Sequence, residues 1–322
     1  MLRYLLGRIM QAVPLVFFVV IFNFMLIHFA RGDPVFLLGG DYVTPEYYAI
    51  LTERWGLDKP IFVQLYVYLG NMVKGDLGFS YAFQTPVFDL IMSRIPSTIL
   101  LMSSSLLFSS LFGIVLGTAS SRKPYSITDS LASIASVIGY SAPIFWLGQI
   151  LIIIFAINLR LFPSGGMSSA RLGLQGIELL TDILWHLVLP AATLGIAQLA
   201  LITRTTRASM LDELYLDYIT TARAKGLPWS TVIYKHAFRN ALLPVVTIIG
   251  LHLGLMLGGA VMTETIFGWP GMGRLMYDAI LRRDYPVLTG SLLVSSLLVI
   301  LGNVVIDIFY AFLDPRIRYG ER

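Results

Sequence analysis

The sequence contains no cysteine, which excludes disulfide bonds, cysteine-ligated metals and thiol catalysis. It is also poor in charge, since only 13% of its 322 residues are charged while 56% are hydrophobic. An ordinary soluble domain has about 25% charged residues. The composition therefore predicts a protein of the lipid bilayer, and nothing in it points to binding of nucleic acid.

Motifs for catalysis and nucleotide binding are missing as well. The chain has no G-x-x-x-x-G-K-[ST] run to hold nucleotide phosphates, no H-E-x-x-H metal motif and no G-x-S-x-G nucleophile. Its four histidines, His28, His186, His236 and His252, are scattered along the sequence. We therefore expect no catalytic residue, metal site or cofactor on this chain, so the energy for any work must come from elsewhere.

Six apolar segments are long enough to cross a bilayer as helices, which takes about 20 residues. They are residues 9–30, 98–120, 127–157, 186–202, 241–262 and 287–313. This pattern predicts an all-α integral membrane protein with six transmembrane helices. Residues 1–30 then hold the N-terminus and the first span, residues 98–313 hold the other five spans, and residues 314–322 form a tail.

The polar segments define the expected orientation. Lys and Arg are more frequent at the two termini, near residue 122 and in the polar stretch after the fourth span than in the other connections. Because basic segments stay inside, we place these segments and both termini in the cytoplasm. Residues 31–97 are too polar to span and contain turn sequences such as Gly-Asp-Pro at 32–34, so they predict a small external domain.

Several polar side chains lie within the predicted spans, where burial in lipid is costly and often functional. Gln149 and Gln198 interrupt the third and fourth spans, His252 lies in the fifth and Asp307 in the sixth. Each is a candidate for lining a transport pathway, and each could instead be a packed, hydrogen-bonded structural residue. Gly113 and Gly117 in the second span should let another helix approach closely. Pro143 should kink the third span.

A long polar stretch, residues 209–240, separates the fourth and fifth spans. Positions 217–225 contain good helix formers and no glycine or proline. Gly226 can end a helix in the left-handed conformation, and Pro228 cannot continue it. We predict a short helix, a sharp turn and a second helix from Trp229. Its basic residues fit an ordinary cytoplasmic loop, and its small residues would also let another chain approach closely.

This stretch resembles the EAA coupling loop of ABC-importer permeases, at Thr220-Thr221-Ala222 followed by Gly226. Thr220 stands where the general motif has an acidic residue, and Pro244 lies further from the glycine than usual. Both departures resemble the B-type permeases of the dipeptide, oligopeptide and nickel branch. The same branch is resembled by four further segments: TARAKGL with HAFRNALLPVV, TETIFGWPGMGRL at 263–275, RRDYPV at 282–287 and DPRIRY at 314–319.

The resemblance covers nearly the whole chain and implies a multi-subunit importer in the plasma membrane of a prokaryote. A second, C-type permease subunit would pair with this chain, and two ATPase subunits carrying ATP and Mg would dock on the loop 212–229. An external solute-binding protein would deliver the substrate, and the domain at 31–97 would contact it or shield the translocation mouth. The implied ATPase-coupling residues, with Ala222 and Gly226 in the closest contact, are Tyr218, Ala222, Arg223, Lys225, Gly226, Leu227 and Trp229.

The segment after the fifth span supplies three further candidates, Glu264, Trp269 and Arg274, around a Gly-Trp-Pro-Gly sequence. They could form an external gate or a contact for the binding protein. They could equally belong to a purely structural turn.

Two other classes of function remain open at this point. A secondary transporter or channel driven by an ion gradient predicts charge pairs and broken helices in the membrane, for which Asp307 alone is thin support. An intramembrane enzyme needs a nucleophile with a base, or a metal set, and the spans contain neither. The substrate stays undefined, because the branch imports dipeptides, oligopeptides, glutathione, nickel chelates and some oligosaccharides.

Overall fold

A computed structural model describes the backbone of residues 2–29, 35, 44–256 and 260–313. Within these ranges, side chains are not described at residues 2–6, 8–9, 27, 47, 170, 251–256 and 305–313. The predicted tail at 314–322 and the Gly-Asp-Pro turn at 32–34 therefore lie outside the described residues.

The described part of the chain is mostly helical. Numbered in chain order, the helices are α1 (Leu2–Phe29), α2 (Pro45–Trp55), α3 (Ile61–Val73), α4 (Val87–Arg122), α5 (Ile127–Ser141), α6 (Ile144–Leu151), α7 (Gly176–Leu214), α8 (Asp217–Ala224), α9 (Trp229–Thr231), α10 (Phe238–Met256), α11 (Val261–Ile266), α12 (Met272–Leu281) and α13 (Tyr285–Leu313). Strands β1 (Phe79–Ser80) and β2 (Thr85–Pro86) pair antiparallel. Two π-helical segments, Ile152–Asn158 and Val232–Ala237, follow α6 and precede α10.

Three of the described helices are long and apolar enough to cross a membrane: Val87–Arg122, Gly176–Leu214 and Tyr285–Val304. A fourth span results if the bent pair Ile127–Ser141 and Ile144–Asn158 crosses as one unit. The helical class is thus confirmed, while the described residues support three or four spans by this measure, not six. Helices α4 and α7 also begin well before the predicted residues 98 and 186, because hydropathy marks the apolar part of a helix and not its polar turns.

The third predicted span is broken, not kinked, and this corrects the sequence prediction. Helix α5 ends at Ser141, helix α6 begins at Ile144, and the two axes differ by 110°. Pro143 has no N–H to donate to the preceding turn, and it drives the residue before it out of the helical region. Ala142 accordingly has an extended backbone, with φ −71° and ψ 131°.

One compact unit of the chain comprises Met1–Ile99, Gly254–Thr265 and Trp269–Arg322. Helix α1 packs along α13 within it, and Asn23 Nδ2 donates to the Thr289 carbonyl at 2.9 Å. The same Nδ2 donates to Tyr68 Oη at 3.2 Å, which ties α3 to the pair. The apolar core of this unit gathers side chains from α1, α2, α3, α4, α12 and α13.

Asp284 fixes the start of α13 in this unit. Its Oδ1 accepts from the Val287 N–H at 3.3 Å, which satisfies a free donor of the first helical turn. Its Oδ2 accepts from Ser80 Oγ at 2.5 Å, and this bond fastens the β-hairpin to the helix. The RRDYPV segment thus contains a helix cap with a buried partner distant in sequence.

The other compact unit comprises Leu100–Leu253 and Ile266–Gly268. Helix α4 approaches α7 closely at Gly113 and Gly117, as the small-residue spacing predicts. A Cβ at Gly113 would lie 2.8 Å from Ile202 Cγ2, and one at Gly117 would lie 2.6 Å from the Thr203 carbonyl oxygen. Only glycine at these two positions allows the two helices to lie so close.

Candidate functional site

Helix α8 occupies the stretch that resembles a coupling loop. It begins after Leu216, which has an extended backbone, and Asp217 lies in its first turn, where a negative charge is favourable. The helix ends at Ala224, and Gly226 then adopts φ +77°, as the sequence predicts. Pro228 precedes α9 with φ −61°, so the predicted turn between two helices is confirmed.

The inner face of α8 is anchored in an apolar core of its own compact unit. Ile219 and Ala222 lie three residues apart, on one side of the helix, and are 1% and 6% exposed. They pack among residues that precede and follow the helix: Met210, Val232, Ile233, Ala237 and Ala241. Helix α8 is therefore held firmly between the end of α7 and the start of α10.

Tyr218 adds a polar anchor beside this core. Its hydroxyl donates to Glu213 Oε2 near the end of α7 and accepts from Asn240 Nδ2 of α10 at 3.2 Å. Partial desolvation of its hydroxyl, reinforced by the hydrogen bond to Glu213, raises the pKa of the Tyr218 phenol above its usual value, although the ring stays partly exposed. One side chain thus bridges α7, α8 and α10.

The outer face of α8 and the turn after it remain exposed. We call this region the α8 surface and define it by Tyr215, Tyr218, Arg223, Lys225, Leu227 and Trp229. The Arg223 guanidinium lies 5.3 Å from the centre of the Trp229 ring, a cation–π contact across the turn. The α8 surface therefore combines aromatic side chains with two positive charges, a composition suited to a protein partner.

Ala222 differs from the expectation that it makes the closest contact with an ATPase subunit. Its side chain is 6% exposed and packs in the core of the chain itself. The helical period explains the difference, because Ala222 lies on the same side as Ile219, whereas Arg223 is the next residue along and points to a different side. Lys225 follows the end of the helix. The other candidates are exposed: Tyr218 in the first turn of α8, and Arg223, Lys225, Gly226, Leu227 and Trp229 at or beside the turn after it.

A second cluster surrounds Glu264 of α11, against which the loop between α11 and α12 packs. Glu264 Oε1 accepts from Thr98 Oγ1 at 2.9 Å, and Oε2 accepts from the Arg274 N–H at 2.9 Å. Thr98 Oγ1 in turn accepts from the Met272 N–H at 2.8 Å. Trp269 Nε1 donates to the Ser97 carbonyl at 2.8 Å, so the whole loop is tied to α4.

The glycines of the WPGMG sequence make room for this carboxylate. A Cβ at Gly271 would overlap the Glu264 carboxyl group, and one at Gly273 would lie 2.7 Å from the Val261 nitrogen. Burial raises the pKa of Glu264 above its usual value, although the hydrogen bonds from Arg274 and Thr98 act in the opposite direction. The acid and the glycines therefore form one tightly packed structural unit.

Glu264 and Trp269 are both 0% exposed, so neither side chain is available to substrate or partner in this structure. Of the two interpretations of the segment, the geometry favours the structural turn. Arg274 differs, since its side chain is 40% exposed and its Nε lies 3.9 Å from Asp278 Oδ2 one turn later.

The four candidates within the spans are not brought together as a described cluster. Gln149 of α6 is exposed, and Gln198 of α7 is half-buried with its Oε1 3.4 Å from Ser109 Oγ. His252 and Asp307 lie in α10 and α13, where their side chains are outside the described part of the structure.

Sequence reasoning missed a buried ion pair in the compact unit that contains α8. Arg207 of α7 donates to Asp129 of α5 through Nε at 2.5 Å and Nη2 at 2.7 Å. Ser126 caps α5 by accepting from the Asp129 N–H at 3.4 Å. Ser-x-x-Asp before an apolar run is a known helix-start signal, so position 129 could have been noticed. Its partner 78 residues later could not.

Comparison with known proteins identifies the family. The model of the binding-protein-dependent transport system inner membrane component matches residues 109–319, and the model of the N-terminal part of such a component matches residues 1–102. The chain belongs to this family. The resemblance found in the sequence is confirmed, and the chain is a membrane permease subunit of an importer, not an enzyme.

Three relatives show how far the similarity of this permease extends. It is 42% identical to the oligopeptide transport system permease protein AppB of Bacillus subtilis, over 99% of this chain and 100% of the relative. It is 40% identical to the dipeptide transport system permease protein DppB of Escherichia coli K12, over 100% of both chains. It is 38% identical to the glutathione transport system permease protein GsiC of Escherichia coli O6:H1, over 99% of this chain and 100% of the relative.

Proposed function

We propose that this permease forms half of the translocation pathway of a peptide importer in the plasma membrane of a prokaryote. Relatives similar over their full length are named for oligopeptide, dipeptide and glutathione transport. All three of these substrates contain peptide bonds, so a small peptide is the substrate class that we assign. The choice within this class depends on a solute-binding protein at the external mouth.

The geometry of α8 supports a role in energy coupling. A docking element must offer an exposed face to its partner and must be firmly joined to the spans that it moves. Helix α8 meets both conditions, since Ile219 and Ala222 anchor it while Arg223, Lys225 and Trp229 remain exposed. Its anchor includes residues at the end of α7 and before α10, so a displacement of α8 would carry both helices.

The proposed assembly follows from the family. Two ATPase subunits bind ATP and Mg, dock on the α8 surface of this chain and its equivalent, and close on nucleotide. A second, C-type permease completes the pathway, and this chain itself holds no cofactor. Closure of the ATPases would shift the pathway between inward-facing and outward-facing states, which is a ligand-biased equilibrium between two conformations.

The proposed topology has six spans with both termini in the cytoplasm. Helices α1 and α10 occupy the positions of the first and fifth predicted spans. We count them together with the three long apolar helices and with the bent pair taken as one span. In this orientation the α8 surface faces the cytoplasm, where ATP is available. Residues 31–97 and the Glu264 loop face outward, toward the solute-binding protein.

The proposal is tested by purifying the full chain from its native membrane in mild detergent, followed by mass spectrometry and an ATPase assay. We expect two ATPase subunits and a second permease in the complex, with ATP hydrolysis stimulated by a binding protein loaded with peptide. Trp229→Ala should weaken association with the ATPase subunits, whereas Trp185→Ala, an exposed tryptophan in α7, should not. A chain that purifies without ATPase subunits would contradict the proposal and favour an ion-gradient transporter.

A further inference from the structure

A groove lies between α5 and α7, in the compact unit that also contains α8. It encloses about 670 Å³, within the range of small-molecule sites. Its walls include Ser133 and Val137 from α5, and Leu201, Arg204, Thr205 and Arg207 from α7. We call it the α5–α7 groove.

The groove is polar at one end and aliphatic at the other. Asp129 meets Arg207, and Gly139 meets Ile196, so the two helices run antiparallel. Along this pairing, Ser133 and Arg204 lie nearer the ion pair, whereas Val137 and Leu201 lie nearer the Gly139 end. The arrangement therefore matches a ligand that has a polar head and a hydrocarbon body.

The positive charge of the groove is only half compensated. The Arg207 charge is matched by Asp129, whose carboxylate is 4% exposed and also accepts from the Tyr125 N–H at 2.8 Å. Arg204 lies one turn earlier on α7, is exposed, and has no ion-pair partner among the residues that the structure describes. Its guanidinium is consequently available to an anion, and planar guanidinium groups bind phosphate well.

The helix that forms one wall of the groove presents a strongly apolar outer side. Leu131, Ile134, Val137 and Ile138 of α5 are 56–63% exposed. In a membrane, exposed aliphatic side chains beside an unmatched cation are a typical environment for an anionic lipid. The position in the proposed orientation is the cytoplasmic end of the spans, where anionic headgroups occur.

We propose that the α5–α7 groove binds an anionic phospholipid of the cytoplasmic leaflet. Its phosphate contacts Arg204, with the hydroxyl groups of Thr205 and Ser133 beside it, and an acyl chain follows Val137 and Leu201. The site rests on the proposed orientation of the permease, although it doesn't depend on which peptide is carried. A bound lipid would add to the Asp129–Arg207 pair in holding the cytoplasmic ends of α5 and α7 together.

Native mass spectrometry of the purified full chain tests this site with two probes of equal acyl length, phosphatidylglycerol and phosphatidylcholine. We expect preferential binding of phosphatidylglycerol, and Arg204→Gln should reduce it about fivefold, the factor for one basic residue at an anionic membrane. Arg239→Gln removes another exposed arginine, in α10 and outside the groove, and should leave binding unchanged. Excess inorganic phosphate should not displace the lipid, because the acyl chain contributes to binding.

Three results would overturn the site. Equal binding of the two lipids, or equal binding by the wild type and Arg204→Gln, would remove the charge argument. Displacement by phosphate would reduce the groove to a simple anion site. Loss of the lipid when the second permease assembles would show that the groove is a subunit interface. Co-purification of Arg204→Gln with the ATPase subunits is measured separately from lipid binding. Failure of the lipid site is thereby distinguished from failure of the importer proposal.

Discussion

Arg207 and Asp129 form a bidentate ion pair that joins α7 to α5 across 78 positions of sequence. The pair lies near the C-terminal end of α7, which leads into α8. It therefore fixes the position of the helix that precedes the proposed docking element. Because the Asp129 carboxylate is 4% exposed, the strength of the pair depends on complete hydrogen bonding and not on charge attraction alone.

Asp129→Ala should lower the stability of the permease by about 2–3 kcal/mol, because it leaves a partly buried guanidinium and the Tyr125 N–H without their acceptor. The measurement is the thermal midpoint of the purified chain in detergent. Asp212→Ala, which removes an exposed acid of α7, is the matched control and should change little. A double-mutant cycle with Arg207→Ala should give a coupling of similar size, and additive effects would show that the pair is unimportant.

Gly271→Ala should destabilise the permease, since the new Cβ would overlap the Glu264 carboxyl group, and overpacking typically costs about 1–3 kcal/mol. Gly70→Ala is the control: it lies within α3, where a Cβ would have no described atom within 4 Å beyond its own helix turn. That substitution should stabilise the chain by about 0.5–1 kcal/mol, because alanine is the better helix former. Equal Tm values for the two variants would contradict the packing around Glu264.

Glu264 should make the stability of the loop depend on pH. Its pKa is raised in the folded state by burial, so the folded state holds a proton that the unfolded state has released. The contribution of Glu264 to stability is therefore fully present below the usual glutamate pKa of about 4.3, and it falls as pH rises toward the higher folded value, by about 1.4 kcal/mol per pH unit between the two.

The corresponding measurement is Tm against pH for wild type, Glu264→Gln and Glu53→Gln. Glutamine can donate to Thr98 Oγ1 and accept from the Arg274 N–H without a charge, so Glu264→Gln should lose this fall in stability. Glu53 is exposed on α2, and its variant should behave as wild type. Identical Tm profiles against pH for wild type and Glu264→Gln would contradict a raised pKa of Glu264.

The sequence predicted those features that depend on neighbouring residues or on composition. Residue types and their spacing predict both the helix before Gly226 and the close approach of two helices at Gly113 and Gly117. The sharp break at Pro143 was underestimated, because the angle depends on what α6 packs against. The burial of Trp269 and the pairing of Asp129 with Arg207 could not be predicted from the sequence, because each depends on a residue far away in the chain.

Gly226→Val should uncouple ATP hydrolysis from transport in the assembled importer. Gly226 has φ +77°, a region that costs an ordinary L-residue about 1–2 kcal/mol. Apart from its two neighbours in sequence, no described atom of the chain lies within 4 Å of an added Cβ. The effect must therefore come from a changed turn or from crowding of the docked subunit.

Gly226→Asn is the control, because asparagine tolerates the left-handed conformation, and it should retain more coupling. Uptake of labelled peptide per ATP hydrolysed, in inverted or reconstituted vesicles, gives the coupling ratio. If both variants transport with the wild-type ratio, the turn after α8 does not transmit energy and the docking surface must lie elsewhere on the chain.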